Sequence, residues 1–261
     1  MNNSSVKAVI LAAGRGTRRL PITRVIDKVM MPIVNRPVVD YVIEQAVRVG
    51  VREIVLVVSS QDTLIKKYYD DKLRLETEYP WLELEGEVTF EYLVQEASGR
   101  YGTAAALDVT RPAIGNEPFL VLMADGFIYN RAENPIDILM SGREKYGADM
   151  GLVGLRLLGE RAEKVSTIEL KDGNYLHALH EKPVGLEPSQ LYLTNISNYL
   201  LTADIFEVID DLPSSNGEYY LTDAVEIYAK NNKVFVAPVD GEFCDSGNPT
   251  DWYRANQLFL G

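Results

Sequence analysis

The chain has 261 residues and carries 26 Lys and Arg against 38 Asp and Glu, a formal charge of −12. Hydrophobic residues make up 46% and charged residues 25%, an ordinary globular composition that excludes a disordered tail, a collagen-like repeat and a disulfide scaffold. So large an excess of acid also argues against a nucleic-acid binder, because duplex affinity rests on neutralising phosphates.

Val6 to Ala12 is a nearly continuous apolar run closed by glycine, which predicts a buried parallel strand. A Gly-, Arg- and Pro-rich loop follows. Pro37 opens a helix in which Val39, Val42, Ile43, Ala46 and Val47 share one face, and Gly50 ends it. Glu53 to Ser59 is a second buried strand, so this stretch reads as a right-handed βαβ unit. Gln61 to Gly86, charged and rich in Tyr, predicts a helix and a surface excursion. Val88 to Val94 reads as a strand, Thr103 to Val109 as a helix, and Phe119 to Ala124 as a strand ending at Asp125. Asn134-Pro135 is an N-cap and first helical residue for a helix reaching Tyr146.

The second half changes character. Gly151 to Leu158, Val165 to Leu170, Tyr175 to Glu181 and Tyr192 to Leu201 read as strands, with a turn at Lys171-Asp172-Gly173-Asn174. Short helices start near Thr202 and Thr222, a strand spans Lys233 to Pro238, and a last helix begins near Pro249. The expectation is an α/β fold, a mixed and mainly parallel sheet flanked by helices. It forms a single domain over 1–261, with a nucleotide-binding lobe at 1–130 and a smaller β lobe at 131–261. The longest apolar runs are too short to cross a bilayer, and Met1 to Lys7 leads into the first strand without a signal-peptide pattern. A single cysteine, Cys244, allows no intrachain disulfide. Together these predict a cytoplasmic protein without membrane contact.

The charge is uneven. Arg15, Arg18, Arg19, Arg24, Lys28 and Arg36 stand against the single acid Asp27 between Gly14 and Arg36, a cationic patch suited to a small polyanion such as a nucleotide. The first strand runs into Ala13-Gly14-Arg15-Gly16-Thr17-Arg18, where glycines let backbone N–H groups face an anion. This is neither a dinucleotide fingerprint nor a P-loop, since the third glycine and the Gly-Lys-Ser/Thr are absent. His177 and His180, three apart in a predicted strand, are expected on opposite faces and without a third ligand. Cys244 has no paired base and reads as a buried thiol. The 15 tyrosines scatter without a basic stripe, so no single-strand stacking platform is expected.

The string LAAGRGTRRLPITRVIDKVMMPIVNRP resembles the opening of the sugar-phosphate nucleotidyltransferases, and its wording is nearest to the bacterial glucose-1-phosphate uridylyltransferase branch. The resemblance continues in order: Gln95, Gly102-Thr103-Ala104, Asp125, Glu181-Lys182-Pro183, Asn195, Glu218 to Ala224, and Asp245-Ser246-Gly247-Asn248-Pro249. It implies a Rossmann-like nucleotidyltransferase fold with a sugar-binding β lobe. The implied reaction turns an NTP and a sugar 1-phosphate into an NDP-sugar and pyrophosphate. Such chemistry needs orientation and cations more than a general base or covalent nucleophile. By that resemblance Ala12, Ala13, Gly14, Gly16, Thr17, Gln95, Gly102 and Thr103 hold the nucleotide. Arg18 and Lys28 act on the transferring phosphates. Asp125 and Asp245 hold Mg²⁺, and Ser166, Glu181, Lys182 and Asn195 meet the sugar phosphate. Relatives of this kind often form dimers or tetramers, so a homo-oligomer is expected.

Two departures stand out. The proline before the family's motif lysine is Asp27 here, expected to point to solvent. Val165-Ser166 replaces a Tyr-Gly whose glycine lies against the sugar. UTP with glucose 1-phosphate is the leading pair, and the readings that stay open are dTTP, CTP or ATP with another sugar, a CTP-dependent phosphocholine-type cytidylyltransferase, and a non-catalytic nucleotide-sugar sensor. The retained Glu-Lys-Pro, Asn195 and LTDA stretch favours a sugar, and the absence of any Asp-x-Asp argues against the metal-dependent glycosyltransferases.

Overall fold

The structure, a computed structural model, describes residues 6–60, 64–70, 88–96 and 99–260. The chain divides into two compact units, one of residues 1–99, 122–129 and 242–261 and the other of 100–121 and 130–241. The strand Phe119–Met123 runs from one to the other.

The first unit has strands in the order Thr89–Gln95, Glu53–Ser59, Lys7–Leu11, Phe119–Met123. Lys7–Leu11 and Glu53–Ser59 pair in parallel from Lys7 opposite Glu53 to Leu11 opposite Val57. The helix between them, Val38–Arg48, buries Val39, Val42, Ile43, Ala46 and Val47, the stripe its spacing predicted. That burial, roughly 1.5–3 kcal/mol per large side chain, holds the βαβ unit together and fixes where the first strand ends. Leu64–Asp70 is helical, and the rest of the predicted excursion, 61–63 and 71–86, lies outside the described residues. A small antiparallel ribbon, Gly126–Tyr129 with Glu242–Asp245, has no counterpart in the sequence reading.

In the second unit the order is Phe119–Met123, Leu191–Leu201, Met150–Leu158, Val234–Val239, Tyr175–Glu181, Ser166–Lys171. Parallel pairing continues here between Val234–Val239 and Met150–Leu158. The other ladders are antiparallel, as short connections such as 171–174 require. Asn134 caps the helix Pro135–Tyr146 through its side chain, as read from the sequence, and Gly147 closes it at φ 63°. One expectation is overturned. His177 is the extra residue of a β-bulge between Leu176 and Ala178, which reverses the side-chain alternation. Both imidazoles therefore face Glu169, with Nε2 of His177 at 3.9 Å and that of His180 at 3.2 Å.

Candidate active site

The first unit gathers its charged residues where strands end. Ala12 and Ala13 are buried just past Lys7–Leu11, and the Ala12 N–H donates to the Val57 carbonyl at 2.8 Å. The chain then turns through Gly14 and Gly16 into a short 3₁₀ turn, Thr17–Arg19, and Thr23 Oγ1 donates to the Gly16 carbonyl at 2.9 Å. Lys28 opens a second such turn, Lys28–Met30, and reaches back over the loop. A Cβ on Gly14 would lie 2.7 Å from Lys28 Nζ, so a side chain there would displace the lysine, which reaches Asp125 Oδ2 2.7 Å away.

The ribbon brings the two aspartates together. Asp245 pairs with Gly126, the residue after Asp125. Ser246 is fully buried and fastens the corner: its N–H donates to the Asp125 carbonyl at 2.9 Å. Its Oγ lies 3.1 Å from that carbonyl and 3.3 Å from the Lys28 carbonyl. Burial pushes the Asp125 carboxyl up, but Lys28 and then Arg18 outweigh it and hold the group below its ordinary value. Asp245 has no such lysine. Burial and then the charge of Asp125 push it up to about 6, against the Gly247 N–H bond and the Arg18 charge. That N–H reaches Asp245 Oδ1 at 2.6 Å, and a Cβ on Gly247 would be 3.4 Å from Arg18 Nη2. An acid raised by the charge of its neighbour, beside two cations, makes a site that gains from a further positive charge.

Asp27 does not point to solvent as expected. It sits at the cap of the Lys28–Met30 turn, whose Val29 is buried, and its Oδ2 is shielded from water. Its φ of −63° is nevertheless the value proline would impose.

The second unit holds the other candidates. Gly102 has φ 120°, and a Cβ there would meet the Tyr219 carbonyl oxygen at 2.4 Å. Tyr219 N–H donates to the Tyr101 carbonyl at 2.8 Å. Thr103 Oγ1 accepts from the Leu221 N–H at 2.9 Å, capping the helix Leu221–Ala229, so its hydroxyl serves the fold. Ser166 stands opposite both Glu181 and Asn195 in register, and opposed residues on neighbouring strands share a face. Ser166 Oγ donates to Glu181 Oε2 at 2.5 Å, and Lys182 Nζ is 3.5 Å from Glu181 Oε1. Lys182 itself is left-handed, φ 43°, and its ammonium lies 5.9 Å from the Tyr220 ring centre. Backbone strain of that kind in a non-glycine residue gathers at functional sites.

Asn195 is buried and turned inward. Its Nδ2 donates to the Tyr199 hydroxyl at 2.7 Å, and its Oδ1 accepts from the Ser197 N–H at 2.8 Å. This closes a bulge in which Ser197 has φ 66°. Burial pushes the Tyr199 hydroxyl up to about 12. Asn195 thus braces the floor beneath Glu181.

Gly14, Arg18, Lys28, Asp125 and Asp245 therefore form one cluster in the first unit, with Ala12, Ala13, Gly16 and Thr17 along its loop. Gln95, also of that unit, ends the edge strand and is buried. In the second unit Ser166, Glu181, Lys182 and Asn195 share a corner, while Gly102 and Thr103 form the loop against Tyr219. Sequence reasoning missed Ser246 and Tyr199. Nothing in a Ser or Tyr spacing announces a hydroxyl whose partners lie on other segments. It counted Arg19 in the cationic patch, whereas Arg19 is buried with its guanidinium 5.2 Å from the Trp252 ring centre.

A glycine loop, two cations and two half-buried acids at strand ends are the parts of a phosphoryl- or nucleotidyl-transfer site. Comparison with known proteins agrees: the nucleotidyl transferase family model matches residues 7–260, and the chain belongs to that family. It is 31% identical to UTP–glucose-1-phosphate uridylyltransferase 1 of Staphylococcus saprophyticus, covering 97% of this chain and 92% of that protein. It is 30% identical to the UTP–glucose-1-phosphate uridylyltransferase of Streptococcus pneumoniae, covering 95% and 88%. Among solved structures it resembles a UDP-glucose pyrophosphorylase complexed with UDP-glucose, at 28% identity, a TM-score of 0.82 and 98% of each chain. The chain is a sugar-1-phosphate nucleotidyltransferase. No helix among the described residues is long and apolar enough to cross a membrane.

Proposed function

We propose that this enzyme joins UTP to glucose 1-phosphate, releasing UDP-glucose and pyrophosphate, in the cytoplasm and with Mg²⁺ as its metal. The observation that carries the chemistry is the Lys28–Asp125–Asp245 cluster around Gly14. The names borne by relatives matched over nearly the whole chain support the substrates.

The donor set fits Mg²⁺. Asp125 and Asp245 offer carboxylate oxygens from one corner, and the charge of Asp125 helps push Asp245 up to about 6, a cost that a divalent cation relieves. Among the described residues no group of three or more His, Cys, Asp or Glu is arranged to hold a metal alone. Mg²⁺ ordinarily takes one or two carboxylates and completes its shell with phosphates and water. When bound, it supplies positive charge to the phosphates that react.

The rest falls to side chains and backbone. Amides of the Gly14–Gly16 loop cradle the triphosphate, and Arg18 neutralises charge on the transferring and leaving phosphates. Lys28 exchanges its Asp125 contact for phosphate and draws the α-phosphate and the sugar phosphate together. Glu181 accepts from a sugar hydroxyl, and Lys182 meets the sugar phosphate. A phosphate oxygen of glucose 1-phosphate then attacks the α-phosphorus, and that bond forms as the bond to the bridging oxygen breaks. Pyrophosphate leaves with the electron pair, and no proton needs to move.

The test is pyrophosphate release across four NTPs and a panel of sugar 1-phosphates, with phosphocholine included. Release with UTP and glucose 1-phosphate well above every other combination is expected. A maximum elsewhere in that grid overturns the substrate assignment. Silence from folded protein that still binds UDP-glucose overturns the enzyme reading in favour of a sensor.

A further inference from the structure

Arg19 is only 6% exposed, and among the described residues no acid is bonded to its guanidinium. Its Nε is shielded from water and has no hydrogen-bond partner there. The guanidinium lies over the Trp252 ring, 5.2 Å from its centre, and Asp245 acts on it through charge. Trp252 is itself fixed. It belongs to the helix Pro249–Leu260, its N–H donates to the Asn248 carbonyl at 3.1 Å, and its Nε1–H donates to the Pro32 carbonyl at 2.7 Å. The Arg19 N–H donates to the Gly16 carbonyl at 2.9 Å, so the residue closes the turn that carries Thr17 and Arg18. A guanidinium stays protonated even when buried, and a buried cation without a bonded acid lowers stability. An apolar side chain would fill the place without that loss. What the arginine adds is a fixed positive charge, held on an aromatic plate beside the glycine loop, where phosphates feel it through little water.

Resting on the assignment of the Gly14–Gly16 loop to the triphosphate, we propose that Arg19 is a specificity-determining residue: its buried charge, added to those of Arg18 and Lys28, makes the loop favour a nucleoside triphosphate over a monophosphate. The residue acts through space and does not touch the phosphates.

Calorimetric dissociation constants for UTP and UMP test this, measured in EDTA so that no metal neutralises the phosphates. They are compared between the natural protein, Arg19→Met, Arg19→Gln and Arg19→Lys. At about 10 Å and an effective dielectric constant of about 20, one extra negative charge on the ligand is worth about tenfold in affinity. The preference for UTP over UMP should therefore fall about tenfold or more in Arg19→Met and Arg19→Gln. Arg19→Lys keeps the charge and should stay within about threefold of the natural protein. The melting temperature of Arg19→Met should hold or rise, because a buried charge without a bonded acid is gone. An unchanged preference in both neutral variants overturns the proposal, as does an equal loss in Arg19→Lys. Weakening of UTP and UMP by one factor, together with a lower melting temperature, marks a structural role and overturns it too. So does a natural protein that does not favour UTP over UMP. Those outcomes leave pyrophosphate release with UTP and glucose 1-phosphate intact. Absence of that release, from protein that binds neither UTP nor UDP-glucose, removes the uridylyltransferase reading and this inference with it.

Discussion

Replacing Asp245 with Asn should stabilise the metal-free protein at neutral pH while disabling it. Asn keeps the shape and can still accept the Gly247 N–H at Oδ1, now 2.6 Å away, but it carries no charge beside Asp125. A carboxyl moved from 3.8 to about 6 costs about 3 kcal/mol when ionised. Asp245 keeps some contact with water, so about half of that, roughly 1.5 kcal/mol, is expected, or about 3–6 °C in melting temperature. The sign follows from proton counting. Folded protein holds the Asp245 proton up to about pH 6 and unfolded protein only to 3.8. The folded state thus binds more protons in that window, and the Asp245 contribution falls as pH rises through it. Thermal unfolding in EDTA should show the variant ahead of the parent at pH 7.5 and the two converging towards pH 4. Added Mg²⁺ should raise the parent's melting temperature more than the variant's, and turnover in the variant should drop by roughly 10²–10³-fold. A variant less stable than the parent at pH 7.5 in EDTA would refute the claim that the two carboxylates oppose each other.

Lys28→Met removes the ammonium lying on Asp125. Nucleotide-free protein should then bind Mn²⁺ about tenfold more tightly by electron paramagnetic resonance, while turnover falls by roughly 10²–10³-fold. Equal Mn²⁺ affinity would mean that Lys28 does not compete for Asp125. Gly102→Ala forces a Cβ against the Tyr219 backbone at φ 120°, and a loss of about 2–4 kcal/mol in urea unfolding is expected. A loss below 0.5 kcal/mol would show that the loop gives way easily. Asp27→Pro suits the existing φ of −63°, so turnover should stay within tenfold. A hundredfold gain would show that Asp27 restrains Lys28.

The sequence alone determined the βαβ opening, because unbroken apolar strands and a 3.6-residue stripe admit few other arrangements. It also fixed the capped helix at Asn134-Pro135, where local chemistry decides the structure. The catalytic candidates were legible because their motifs are contiguous: Gly14 to Lys28, Glu181-Lys182-Pro183, Asp245 onward. What the sequence could not supply was partnership across distance. The Gly126–Tyr129 ribbon sets Asp245 against Asp125 with only four residues per strand, too short to leave a periodic signal. A one-residue bulge turns His177 to the same side as His180, and a buried hydroxyl, Ser246, ties Lys28 to Asp125. Whether Lys28 stands free or rests on Asp125, and whether Ser166 reaches Glu181, depends on contacts of 2.7 and 2.5 Å between residues 97 and 15 positions apart in the chain. Only tertiary packing decides those, because hydrogen bonds and charges act through distance in space while sequence patterns record neighbours along the chain.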